Sequence, residues 1–194
     1  VESTRRMTLR DHAEAILAAI DGPLTLLGHS AGGYAISLAA ELRPDLIRRL
    51  IYLTAYVPLP GVSLADRRRA APEQPLKPAI RIVPELAAFS FDPAMAADLL
   101  YHDCPEDVQA RAIARLCPEP ITPQEDTIPS LDHWQGVERH YIRCAADRAI
   151  LPRFQAEMSA GWPASRLHSL PASHSPFLSM PARLARCIAA ITLP

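Results

Sequence analysis

The sequence predicts an α/β fold: a parallel sheet flanked by helices, interrupted by a mainly helical lid insertion. Three observations predict it. Short apolar runs alternate with segments of helical periodicity. The strand-helix-strand order across residues 24–54 requires a crossover between parallel strands, which is right-handed as a rule. The stretch from Pro58 to Pro129 holds 12 of the 20 prolines and cannot continue a layered sheet. The organisation that follows is a core part at residues 1–57, a lid at 58–133 and a second core part at 134–194.

Taken in order, Thr8-Leu9-Arg10-Asp11 reads as a capping box, and Leu9, Ala13, Ile16, Leu17 and Ile20 then share one helical face. Asp21-Gly22-Pro23 ends that helix. Leu24 to Leu27 is too short for a helix and predicts a buried strand. From Ala31 to Pro44 the apolar positions return at helical spacing, and Arg49 to Thr54 is the next strand. In the lid, Asp92-Pro93 is an N-cap with proline at the first helical position, leading a helix from Met95 to Tyr101; Pro105 starts another from Val108 to Leu116. The sheet pattern resumes at Arg139–Cys144. It continues through a helix at Pro152–Ser159, a strand at Ser165–Leu170 and a last helix, Pro181–Ile191, whose core face is Leu184, Cys187, Ile188 and Ile191.

Composition narrows the function classes. A chain of 194 residues with 49% hydrophobic content and a formal net charge of -1 suits one globular domain and no polyanionic partner. Arg67-Arg68-Arg69 reads as a solvated face, because no aromatic residues interleave with it as a nucleic-acid groove requires. Cys104, Cys117, Cys144 and Cys187 form no CxxC pair and read as buried free thiols in a reducing compartment, and the cytoplasm is the default expectation for location. His102 and Cys104 lack a second ligand pair at zinc spacing, and neither metal nor cofactor is expected. No apolar run approaches the roughly 20 residues that cross a bilayer.

The segment Leu24 to Ala40, LTLLGHSAGGYAISLAA, places Gly28-His29-Ser30-Ala31-Gly32 where a strand becomes a helix. This is G-x-S-x-G in the context that a nucleophile turn needs. Its glycines are expected to keep side chains out of a strained turn, and the helix N-terminus behind Ser30 favours a nearby anion. Chance supplies only roughly 0.02 such matches in a chain of this composition. A serine needs a base, and the base a carboxylate to orient it. Asp147 follows the strand ending at Cys144, at the carboxyl edge of the sheet where sites collect; Asp126 and Asp132 are rivals in or beside the lid. His174, in Pro171-Ala-Ser-His-Ser-Pro176, follows the strand ending near Leu170. His12 is on the first helix, His102 and His133 are in or beside the lid, His140 and His168 are within strands, and His29 reads as a packing residue. Phe89, Phe91, Trp134 and Phe177 are candidate pocket walls, with plain core as the alternative.

With these positions assembled, the chain resembles the α/β-hydrolase superfamily, in the branch of small plant and bacterial esterases and hydroxynitrile lyases typified by methylsalicylate-esterase-like proteins. The carrying segments are LLGHSAGG, LIYLTAYVPLPGVSL, YHDCPEDV, YIRCAADRAILPRFQ and LPASHSPFLSMPARLA. The resemblance implies a small or medium carboxylic ester as substrate. It also implies Ser30 as nucleophile, His174 as proton relay, Asp147 as partner of the imidazolium and the Ala31 amide as an oxyanion donor. A hydroxynitrile lyase of this branch adds a lysine beside the histidine, where Ser175 stands here; a non-catalytic ligand-binding module is the alternative of another class. Relatives carry earlier strands with a His-Gly motif for a second oxyanion donor, and only four strands of a usual eight are expected here. With Val1 in place of Met, the reading is a chain lacking its N-terminal part, whose first strand would pair with that segment or a second copy.

Overall fold

The computed structural model describes residues 7–193. Among these, four strands form a parallel sheet in the order β1 (Leu24–His29), β2 (Ile47–Leu53), β6 (Glu138–Cys144) and β7 (Leu167–Leu170). The sheet alternates along each strand. Leu50 and Tyr52 join one core cluster with Tyr34, Trp134 and Phe154, while Ile51 and Leu53 join a second with Ile142, Leu170 and Leu184. The period of two thus buries β2 on both faces, as a parallel sheet requires.

The first cluster is covered by α1 (Leu9–Ala18) and α2 (Gly32–Leu42). The capping box forms: Thr8 N–H donates to Asp11 Oδ2 at 2.7 Å and Asp11 N–H to Thr8 Oγ1 at 3.1 Å. Tyr52 is fixed between Ser37 Oγ at 2.5 Å and the Trp134 indole N–H at 2.7 Å. Its hydroxyl is therefore satisfied inside a dry core. The second cluster is closed by the last helix, Pro181–Thr192, through Leu184 and Ile191, with Cys187 and Ile188 packed against it.

Residues 58–133 contribute α3 (Leu64–Arg69), α4 (Pro93–Leu100), α5 (Glu106–Ile113) and α6 (Thr122–Glu125), followed by α7 (Asp132–Gly136). They also hold a small antiparallel sheet of β3 (Ile80–Val83), β4 (Ala88–Phe91) and β5 (Glu119–Pro120), which adds strands to the short helices expected there. Its turn lacks the glycine or asparagine that marks a hairpin, since Ala87 takes the left-handed backbone with φ of 47°.

Two local expectations are corrected. Leu24 to Leu27, read as a buried strand, is only partly covered and Leu27 is 37% exposed, because among the described residues β1 lies at the sheet edge, the open edge expected of the first strand. The solvated face expected of Arg67–Arg69 holds for Arg69, which is exposed, and not for Arg67 and Arg68. The Arg67 guanidinium lies 5.5 Å over the Phe154 ring and is largely covered, and Arg68 faces a cavity. The four cysteines are free, but only Cys104 and Cys144 are buried as expected, Cys187 being half-buried and Cys117 exposed; no helix among the described residues is long and apolar enough to cross a membrane.

Candidate active site

Three loops converge at the carboxyl end of the parallel sheet, where side chains from distant parts of a chain naturally meet. Ser30 follows β1 directly, Asp147 lies three positions beyond β6, and His174 lies four beyond β7. Ser30 itself occupies the left-handed region, with φ of 52°. A bulky residue is rare there, so the turn must be held by its surroundings. Ser30 N–H donates to Leu53 O at 3.3 Å, and Ser30 O accepts from Tyr56 N–H at 3.1 Å and Gly33 N–H at 3.3 Å.

The steric role of the glycines is distributed differently from the motif reading. A Cβ on Gly28 would sit 2.7 Å from Gly32 O, and one on Gly33 would sit 2.1 Å from Tyr56 O, whereas nothing lies within 4 Å of a Cβ on Gly32. Gly33, outside the motif, carries the close approach expected of Gly32. Gly32 faces open space on the cavity.

Asp147 and His174 are paired, His174 Nδ1–H donating to Asp147 Oδ2 at 2.8 Å, with both residues at most 3% exposed. The other carboxylate oxygen accepts from Ala149 N–H at 2.7 Å and Ile150 N–H at 3.0 Å. Thr54 Oγ1 donates to Oδ2, and Gln155 Nε2 reaches it at 3.4 Å. Burial would raise the Asp147 pKa, but the adjoining His174 imidazole and these hydrogen bonds outweigh it and hold the carboxyl below its ordinary range. An ionised carboxylate fixes the proton on Nδ1 and leaves Nε2 as the free lone pair. Sequence reasoning missed Thr54, read as the end of a strand; its positive φ of 36° turns the hydroxyl onto Asp147. It also missed Gln155, fully buried, whose amide bonds Cys144 and Ile150 and ties the loop to the helix Pro152–Met158.

His29 packs as the motif reading expected. Its Nε2–H donates to the His174 carbonyl at 2.8 Å and its ring lies 4.6 Å from the His174 ring. Burial first, and then the neighbouring His174 charge, push its pKa down to about 3. Neutral His29 is therefore a fixed donor, not a base. The rivals are occupied elsewhere: Asp126 accepts from Leu9 N–H at 2.8 Å at the start of α1, and Asp132 accepts from Ser130 Oγ at 2.8 Å. His140 and His168 pair with each other at 3.1 Å, and His102 and His133 bond backbone carbonyls.

Ser30, Ala31 and His174 all line one cavity of about 630 Å³. The side formed by residues 58–133 is mostly apolar, with Leu64, Leu76, Phe89, Phe91 and Leu100, and Phe177 also lines the cavity, its ring 5.0 Å from that of His29. Trp134 is core instead. One corner is polar: Arg68 Nη1 donates to Gln124 Oε1 at 3.1 Å, and Gln124 Nε2 to Glu119 Oε2 at 3.3 Å. His12, on α1, also reaches this lining. The Ala31 N–H precedes the first turn of α2 and makes no hydrogen bond among the described residues. It is one of the orphan donors of a helix N-terminus and suits an anion.

Residues 2–187 match the alpha/beta hydrolase family. The chain is 30% identical over 184 residues to a pyrethroid hydrolase of Sphingobium wenxiniae, covering 90% of this chain and 65% of that protein. It is 28% identical to methylesterase 17 of Arabidopsis thaliana, covering 80% and 61% respectively. The chain thus spans less than two thirds of the length of these relatives. The crystal structure of a pyrethroid hydrolase from Sphingobium faniae superposes with a TM-score of 0.78 at 27% identity, over 96% of this chain and 78% of that one.

Proposed function

Because the chain belongs to the alpha/beta hydrolase family, we propose that it hydrolyses small to medium carboxylic esters through an acyl-enzyme intermediate. The observation that carries this reading is the buried Asp147–His174 pair opening onto the same cavity as a serine in a strained turn. Ser30 Oγ attacks the ester carbonyl while His174 Nε2 takes its proton. Asp147 holds the resulting imidazolium, and the oxyanion faces Ala31 N–H. The intermediate collapses as His174 returns the proton to the leaving alcohol, and water, deprotonated by the same nitrogen, releases the acid. A single donor at such an oxyanion is worth on the order of 10² to 10³ in turnover.

The apolar cavity supports substrates with a hydrophobic acyl or alkoxy group, and pyrethroids and methyl esters, the classes for which relatives are named, are the first to try. A hydroxynitrile lyase reading is disfavoured, since Ser175 follows His174 and Lys77 is exposed and outside the cavity lining. The test is hydrolysis of p-nitrophenyl acetate and butyrate by the chain and its Ser30→Ala and His174→Ala variants. Turnover in the parent and at least a roughly 10³-fold loss in each variant is expected. Equal turnover in all three would overturn the triad reading, and no turnover in the parent would favour a non-catalytic binding module.

A further inference from the structure

We propose that Asp103, in the lid, is a positioning residue for His174. The loop that presents His174 is short, and its neighbour Ser173 is fully buried. Ser173 N–H donates to Asp103 Oδ2 at 2.8 Å, and Ser173 Oγ donates to Asp103 Oδ1. The same hydroxyl reaches Leu100 O at 3.4 Å. A carboxylate accepting two hydrogen bonds from one residue fixes both its position and its orientation. Burial would raise the Asp103 pKa, but the bonds from Ser173 outweigh it and keep the group ionised. The next carbonyl along, that of His174, is gripped by His29. The base is therefore held on one side by the nucleophile turn and on the other by the lid.

Asp103 has no other assigned task. It lies outside the Ser30, His174 and Asp147 set, and the segment that carries it also walls the cavity through Leu100 and Tyr101. Lid and base are thereby joined through three residues, Tyr101 to Asp103, and the two bonds to Ser173. Without the carboxylate, Ser173 N–H loses its acceptor, the Ser173 hydroxyl keeps only its 3.4 Å reach to Leu100 O, and the imidazole gains freedom relative to Ser30. Misplacement of a reacting group by about 1 Å can cost about 10²-fold in rate.

The role rests on His174 acting as the base, so the test has one arm that needs turnover and one that does not. Asp103→Ala is expected to lower kcat for p-nitrophenyl butyrate by roughly 10- to 100-fold with KM within about twofold, and Asp103→Asn, which keeps an acceptor for Ser173 N–H, to restore most of it. In parallel, proton NMR of the full chain should show the downfield His174 Nδ1 proton shared with Asp147, broadened by exchange in Asp103→Ala and sharp in Asp103→Asn. A parent chain inert to esters would sink the hydrolase reading, and the resonance would still decide the clamp. Wild-type kcat, or an unchanged resonance in folded Asp103→Ala, overturns the proposal. If Asp103→Ala does not fold, Ser173→Ala removes the hydroxyl arm alone: a several-fold fall in kcat with a broadened resonance supports the clamp, and parental values of both overturn it.

Discussion

Ser30 takes a backbone conformation that costs a non-glycine residue on the order of 1–3 kcal/mol, and its neighbours are chosen so that this turn can close. A methyl on Gly33 would strike the Tyr56 carbonyl that approaches within 2.1 Å of the added Cβ, while one on Gly32 meets nothing. Gly33→Ala is therefore expected to destabilise by at least about 1–3 kcal/mol, and Gly32→Ala to fold with stability near the parent, as urea denaturation would report. Equal losses at both positions would contradict this. His29 adds a pH dependence. Its folded pKa, near 3, lies below the ordinary 6.5, so between these values the unfolded chain binds a proton that the folded chain does not. Stability from this group is present above pH 6.5 and is lost as pH falls toward 3. Asp147, held below 3.8, adds a loss that begins lower. His29→Gln, which keeps a donor for the His174 carbonyl, should flatten the upper part of this slope in denaturation curves taken at stepped pH; an unchanged slope would show that His29 is not held neutral.

At the scale of elements, β1 pairs on one side only among the described residues, and Leu27 stands exposed on it. An apolar edge with unpaired amides templates aggregation. Leu27→Lys is expected to raise the refolding yield at micromolar concentration without lowering the unfolding midpoint, read by light scattering; unchanged scattering would argue that β1 is not the sticking edge. Which elements the sequence could reveal follows from the same physics. α1 was legible because Thr8 and Asp11 cap it reciprocally and its apolar residues keep the helical period. β2 was legible because its second half, Leu50 to Leu53, is apolar and buried on both faces. β3 and β4 were not, because each has four residues and their turn, Pro84 to Ala87, carries no glycine or asparagine. For β1 the apolar run alone pointed to burial, since it states only that a strand wants burial; the open edge was legible from the missing neighbour instead.

Over the whole molecule, residues separated by more than a hundred positions are gathered at one sheet edge. Strand order and direction do that work, which is why the positions of Ser30, Asp147 and His174 could be anticipated from strand ends alone. Their supports could not. Thr54 and Gln155 bond Asp147, and Asp103 holds Ser173, by contacts that span 93, 8 and 70 residues and have no sequence signature. Arg68 likewise sits in a run whose charge pattern suggests solvent, yet it lines the cavity and bonds Gln124. The central claim is that this architecture makes Ser30 a nucleophile. Its most direct measurement is intact-mass and peptide-mapping mass spectrometry of the chain after exposure to an alkyl fluorophosphonate. The account predicts one adduct, on Ser30, absent in Ser30→Ala and formed far more slowly in His174→Ala. No adduct on the folded parent chain, or an adduct on another serine, would contradict it.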